Sequence, residues 1–167
     1  MTINFNTPLM QNDLHIQEKA SGQVRSEKDE HMNTSTFQKQ GRVLVTVLQL
    51  FGKLDGSNYM QLVDETRNIY LGGVRDLLID LSQLTYLSSA GIAAIHKTAL
   101  MYRGLPMAEE ESGWASYHAI DRDRGSGVQT HVKLLSPQPD VANILDISGF
   151  SSLFEIHNDL ETAIASF

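Results

Sequence analysis

The chain contains no cysteine, which excludes disulfide staples and thiolate metal sites and is compatible with a cytoplasmic location. Basic residues are outnumbered, 13 Lys and Arg against 20 Asp and Glu, for a formal net charge of −7. That balance argues against a nonspecific nucleic-acid surface or an anionic-membrane surface, both of which need basic patches. No apolar run approaches the ~18 residues of a membrane helix, so direct membrane insertion is not expected. The opening MTINFNTPLM has neither a basic n-region nor a long apolar h-region, so no signal peptide is expected. No Gly-x-Ser-x-Gly elbow, HExxH or H-x3-H spacing occurs, and the six histidines (His15, His31, His96, His118, His131, His157) are scattered. What remains is a chain of 167 residues, 41% hydrophobic, long enough for one domain with a sizeable core.

The most informative stretch is Leu77–Tyr102, LLIDLSQLTYLSSAGIAAIHKTALMY. Leu77-Leu78-Ile79 is a short apolar run ending at Asp80-Leu81, the pattern of a strand buried on both faces. Ser82–Leu87 reads as a connection. Ser88-Ser89-Ala90-Gly91 then opens a helix whose apolar positions Ile92, Ile95, Ala99 and Tyr102 share one face. A serine pair thus stands where a core strand hands over to a helix N-terminus, an end with unpaired N–H groups and the positive end of the helix dipole. The simplest role for a serine there is capping. One serine can cap while the other is presented outward.

Upstream, residues 1–33 are polar and mixed in charge and read as a flexible or weakly structured extension, with short alternation at Ile3, Phe5, Leu14 and Ile16 that would suit a hairpin. TFQKQGRVLVTVLQLFGKLD reads as two strands joined at Gln40-Gly41, the second running over Arg42–Phe51 into Gly52-Lys53-Leu54-Asp55. Gly56-Ser57-Asn58 offers caps for a first helix with Tyr59, Leu62, Val63, Ile69 and Tyr70 at helical spacing, stopped by Gly72-Gly73. Residues 104–130 form a long, polar, glycine-containing insertion, expected to be mobile or ordered only by a partner. His131–Ser136 is the next strand. A short helix carries Val141, Ile144, Leu145 and Ile147, Leu153–Ile156 is a last short strand, and Asp159–Phe167 a terminal helix. The order β-β-α-β-α-β-α-β-α predicts an α/β layer, with sites near the strand C-termini where helices begin. Asp55, Ser57 and Ser89 fall at that edge.

Together, DLSQLTYLSSAGI, the G-x-L-D at Gly52–Asp55 and the D-I-S-G-F at Asp146–Phe150 resemble the STAS domains of the anti-sigma-factor antagonist family, from about Gln40 to the C-terminus. The resemblance implies a STAS fold: a mixed, mainly parallel sheet with about four helices packed mostly on one side, here over residues 34–167. It implies a binding module rather than an enzyme, with no cofactor of its own. Ser89 takes the place of the regulatory phosphorylation site, and Ser88 that of the aspartate usually found just before it. Asp55, Ser57, Ser88, Ser89 and Gly91 would form the partner-docking edge, Gly91 by letting another backbone approach closely. The implied partners are an anti-sigma factor that is also a serine kinase, with ATP bound by that partner, and a metal-dependent serine phosphatase. The alternative within the same fold is a scaffold or ligand-sensing accessory subunit, as in a stressosome-type assembly or a lipid transporter.

Other chemistry is weaker. His96 lies seven residues past Ser89, a helical rise of about 10.5 Å, too far to act as its base. Asp121–Gly127 lacks the acidic ladder and terminal glutamate of a calcium loop, and both it and Glu109–Ser112 read as solvated loop.

Overall fold

The computed structural model describes residues 31–105 and 127–167. Two strands open it, β1 (Asn33–Gln40) and β2 (Leu44–Leu54), followed by α1 (Tyr59–Leu71), β3 (Leu77–Leu87) and α2 (Ser89–Tyr102). Then come β4 (Gln129–Leu135), α3 (Pro139–Ile147), a 3-10 turn (Phe150–Ser152), β5 (Phe154–His157) and α4 (Leu160–Ala165). The sheet order is β1-β2-β3-β4-β5; β1 and β2 pair antiparallel as a hairpin, and every later neighbour is parallel. Parallel neighbours need crossovers, and each here contains a helix: α1, α2 and α3 in turn. This is the mixed, mainly parallel sheet that the STAS resemblance implies.

Alternation along the strands divides the core between the two sheet faces. Leu48 and Leu50 of β2, Leu77, Ile79 and Leu81 of β3, and Val132 and Leu134 of β4 join a large core with Leu62 of α1, Ile92 and Ile95 of α2, and Leu145 of α3. The opposite face carries Val45, Val47, Leu78 and Leu135, packed against Ala163 and Ile164 of α4. Three helices therefore cover one face and α4 the other. Lys133, on the α4 side and only 3% exposed, ties that helix down. Its Nζ donates to Glu155 Oε2 at 2.8 Å and to Ser166 O and Oγ at 2.9 Å. It also stands 4.7 Å from the centre of the Phe167 ring. Lys39 of β1 pairs with Glu161 at the same helix. No helix among the described residues is long and apolar enough to cross a membrane.

α2 is buried more widely than a single apolar face requires, from Gly91 to His96 and again at Thr98, Ala99, Met101 and Tyr102. It is enclosed by the sheet below and by α1, where the Thr66 and Thr98 hydroxyls lie 3.0 Å apart. Ser82–Leu87 is not a connection: β3 runs unbroken to Leu87 beside the end of β2. β2 likewise continues through Gly52 and Lys53 to Leu54. β1 begins at Asn33 and β4 at Gln129, so the strands take the last residue of the expected extension and the end of the expected insertion. The remaining expectations for 1–33 and 104–130 fall mainly on residues outside those described.

Candidate functional site

Ser88 leaves the strand with extended backbone, φ −90° and ψ 172°, and its Oγ accepts the Gly91 N–H at 3.2 Å. It is the N-cap, satisfying one of the free amides of the first turn. Its own N–H donates to Leu54 O at 2.9 Å, which fastens the start of α2 to the last residue of β2. Ser89, the first residue of the helix, is exposed. The pair divides the work: Ser88 caps, and Ser89 is left accessible on a helix N-terminus. Serine and aspartate rank together as N-caps, so Ser88 supplies the cap that aspartate would, without the charge.

Beside this helix start the chain turns from β2 into α1. Asp55 Oδ1 accepts the Ser57 N–H at 2.8 Å and the Ser57 hydroxyl at 2.6 Å. Those two bonds, first the hydroxyl and then the amide, hold the Asp55 carboxyl below the usual carboxylate range. Asn58 closes the turn. Its Oδ1 accepts the Asp55 N–H at 2.9 Å and its Nδ2 donates to Lys53 O at 2.8 Å. Its side chain makes no cap bond to α1, although the sequence places it as a capping candidate. Asn58 is thus a positioning residue that the capping pattern detects for a different reason. Met60 and Tyr86, 43% and 47% exposed, flank this edge and add apolar surface that strand and helix periodicity do not single out.

Gly91 is buried and faces inward. A Cβ there would lie 2.7 Å from Leu87 Cδ1, 2.8 Å from Leu54 Cγ and 2.9 Å from Leu54 O. The domain's own β2 and β3 make a close approach at this glycine, which lies buried beneath the helix start. Asp146, Ser148 and Gly149 lie apart from Ser89. α3 starts where β4 ends, so its close is at the opposite sheet edge, where Gly149, φ 80°, leads into the turn that buries Phe150.

The histidines do not complete a catalytic pair. His96 is buried with its ring 6.3 Å from that of Phe150. His131 Nδ1 lies 2.9 Å from Asp76 Oδ1, near the start of β4 and away from the strand C-termini. His118 and both acidic loop segments lie outside the described residues, apart from Gly127. Among the described residues no group of three or more His, Asp or Glu is placed to hold a metal ion.

A five-stranded, mainly parallel sheet with an exposed serine on the helix that follows β3 is the arrangement that the STAS resemblance implies, and the comparisons with known proteins point the same way. Residues 37–105, which include the whole Ser88–Gly91 site, match the family model described as "Mlab, STAS domain". Among individual proteins, the chain is 29% identical over 132 residues to BtrV of Bordetella bronchiseptica, named as a candidate anti-sigma factor antagonist. That match covers 79% of this chain and 92% of BtrV. The fold is similar to the crystal structure of an anti-sigma factor antagonist from Mycobacterium paratuberculosis, with TM-score 0.57 and 18% identity over 80% of this chain and 94% of that one. A weaker likeness is to the anti-sigma factor antagonist SpoIIAA in its unphosphorylated form, with TM-score 0.48 and 19% identity over 78% of this chain and 93% of that one.

Proposed function

We propose that the chain is an anti-sigma-factor antagonist, a non-catalytic cytoplasmic switch that docks an anti-sigma factor when Ser89 is unphosphorylated. The observation that carries this is the division of the serine pair, with Ser88 bound to the Gly91 amide and Ser89 exposed beside it. The name of the Bordetella relative supports the same class. Asp55, Ser57, Ser88 and Ser89 shape the docking edge, and Gly91 holds α2 against β2 beneath it. The partner is a serine kinase that brings its own ATP; docking releases the sigma factor, phosphorylation of Ser89 ends docking, and a metal-dependent serine phosphatase restores it.

The energetics of such a switch are asymmetric. Phosphate adds about −1.5 to −2 charges, and at a helix N-terminus that charge is favourable by about 0.3–1 kcal/mol, so the fold tolerates it. Against a docked partner the same group must be desolvated or meet like charge. A penalty of about 3 kcal/mol there lowers affinity roughly 150-fold. Incubation of wild type and Ser89→Ala with the kinase and ATP, followed by mass spectrometry, tests the site. Phosphate on Ser89 of the wild type and none on Ser89→Ala is expected; phosphate on Ser88 or a loop serine overturns the assignment.

The scaffold or accessory-subunit reading draws on one observation, Ser88 in place of the usual aspartate. The cap survives that exchange, but the carboxylate that a kinase would meet beside Ser89 is gone. A Ser89 that no kinase modifies, in a chain that co-purifies with transporter or assembly subunits, would favour that reading.

A further inference from the structure

β3 carries two more residues than the stretch of β2 it pairs with. The register runs Gln49↔Asp80, then Phe51↔Gln83, then Gly52↔Leu84, then Lys53↔Tyr86 and Leu54↔Leu87. Each of the two shifts inserts one residue into β3, the first over Leu81–Ser82 and the second at Thr85. A single inserted residue reverses the inward and outward alternation beyond it. The two together explain why Leu81, Leu84 and Leu87, spaced by three and not by two, all point into the same core.

Side chains pin both bulges. At the first, Asp80 Oδ1 accepts the Ser82 N–H at 2.9 Å, and Asp80 Oδ2 accepts from Gln49 Nε2 at 2.9 Å. Gln49 Oε1 in turn accepts the Ser35 hydroxyl at 3.0 Å, so the chain of bonds crosses β1, β2 and β3. At the second, Thr85 Oγ1 donates to Gly52 O at 3.0 Å, opposite a glycine whose φ of 81° few other residues adopt. Asp80 is only 6% exposed. A carboxylate is a costly group to bury for packing alone, and here each of its oxygens accepts a hydrogen bond at the bulge.

One step past the last register pair, Ser88 N–H meets Leu54 O and α2 begins. We infer that Asp80 and Thr85 are positioning residues for Ser89: by fixing two bulges in β3 they decide where α2 starts and bring Ser89 alongside the Asp55–Asn58 turn. The inference rests on the reading of Ser89 as the docking serine. It assigns a task to Asp80 that packing does not require.

The test uses the full chain with Asp80→Ala, Asp80→Asn, Thr85→Val and, as a control, Val141→Ala in α3. Amide hydrogen exchange is measured residue by residue, and affinity is measured for the kinase that wild type binds. Asp80→Ala leaves the Ser82 N–H unpaired and is expected to speed exchange over Ser82–Ser89 by about tenfold or more, with β4 and α1 unchanged. Thr85→Val should do the same over Thr85–Ser89. Asp80→Asn keeps an acceptor for Ser82, and its amide donates to Gln49 once the Gln49 amide turns over, so it should restore both exchange and affinity. Val141→Ala should lower thermal stability without touching Ser82–Ser89. Wild-type exchange in Asp80→Ala, no rescue by Asp80→Asn, or the same loosening in Val141→Ala overturns the inference, as does loosened exchange with undiminished affinity. Failure of the Ser89 reading shows separately, in a Ser89→Ala chain that behaves like wild type towards kinase and ATP.

Discussion

At the scale of single residues, the site depends on small groups placed to satisfy backbone. Asp55 is held below its ordinary value by the Ser57 hydroxyl and amide, and Asp159 is lowered in the same way by the Thr162 amide and hydroxyl. A carboxyl whose pKa is lower in the folded state stabilises the fold when ionised. That contribution is complete above the unfolded value of about 4 and is lost as pH falls through the lowered folded value. Melting temperature should therefore fall as pH drops from about 5 to 3, and Asp55→Asn should flatten the part due to this turn. An Asp55→Asn chain that loses as much on acidification as wild type would contradict it. Gly91 carries a second expectation. Gly91→Val must place carbon where Leu54 and Leu87 already stand, and overpacking of that kind costs about 1–3 kcal/mol. At about 2–4 °C per kcal/mol, thermal unfolding should show a clear drop. An unchanged melting temperature with weakened docking would place Gly91 on the partner surface.

At the scale of elements, strands and helices whose apolar spacing is regular were legible in the sequence, and those whose spacing is altered by bulges were not. β2 from Val45 to Leu50 and α1 from Tyr59 to Tyr70 follow simple periods. Ser82–Leu87 reads as a connection because its buried leucines recur at every third position, the mark that two bulges leave on a strand. The serine pair was legible as a cap and a presented residue, but which serine does which depends on backbone direction at Ser88. The inward face of Gly91 was hidden because the sequence does not show that Leu54 closes over α2. α4 was legible as a helix, whereas its fastening by a buried lysine was not, because Lys133 lies in a strand far from it in sequence. Lys133→Ala removes the buried partner of this fastening, and Glu155, 44% exposed, returns to water. The cost is then mainly the lost bonds to Ser166 and the stacking on Phe167, about 1–3 kcal/mol. Faster amide exchange confined to α4 and β5 is the expected signature, and uniform loosening of the whole sheet would contradict it.

At the scale of the whole molecule, the parallel strand order gathers the C-terminal ends of β2 and β3 at one edge, and with them Asp55, Ser57, Ser88 and Ser89. Three helices close one sheet face and α4 the other, so a phosphate placed on Ser89 at this edge would lie outside both cores. That separation lets a switch alter binding while stability stays the same. It is tested most directly by affinity capture with wild type and Ser89→Asp as matched baits, read by quantitative mass spectrometry alongside their melting curves. The account predicts that both chains melt at nearly the same temperature. Wild type should retain a histidine-kinase-like ATPase or other anti-sigma factor, and Ser89→Asp should retain roughly a hundredth as much. Equal capture of that partner by both baits, or a Ser89→Asp chain that loses binding only because it has unfolded, would contradict it.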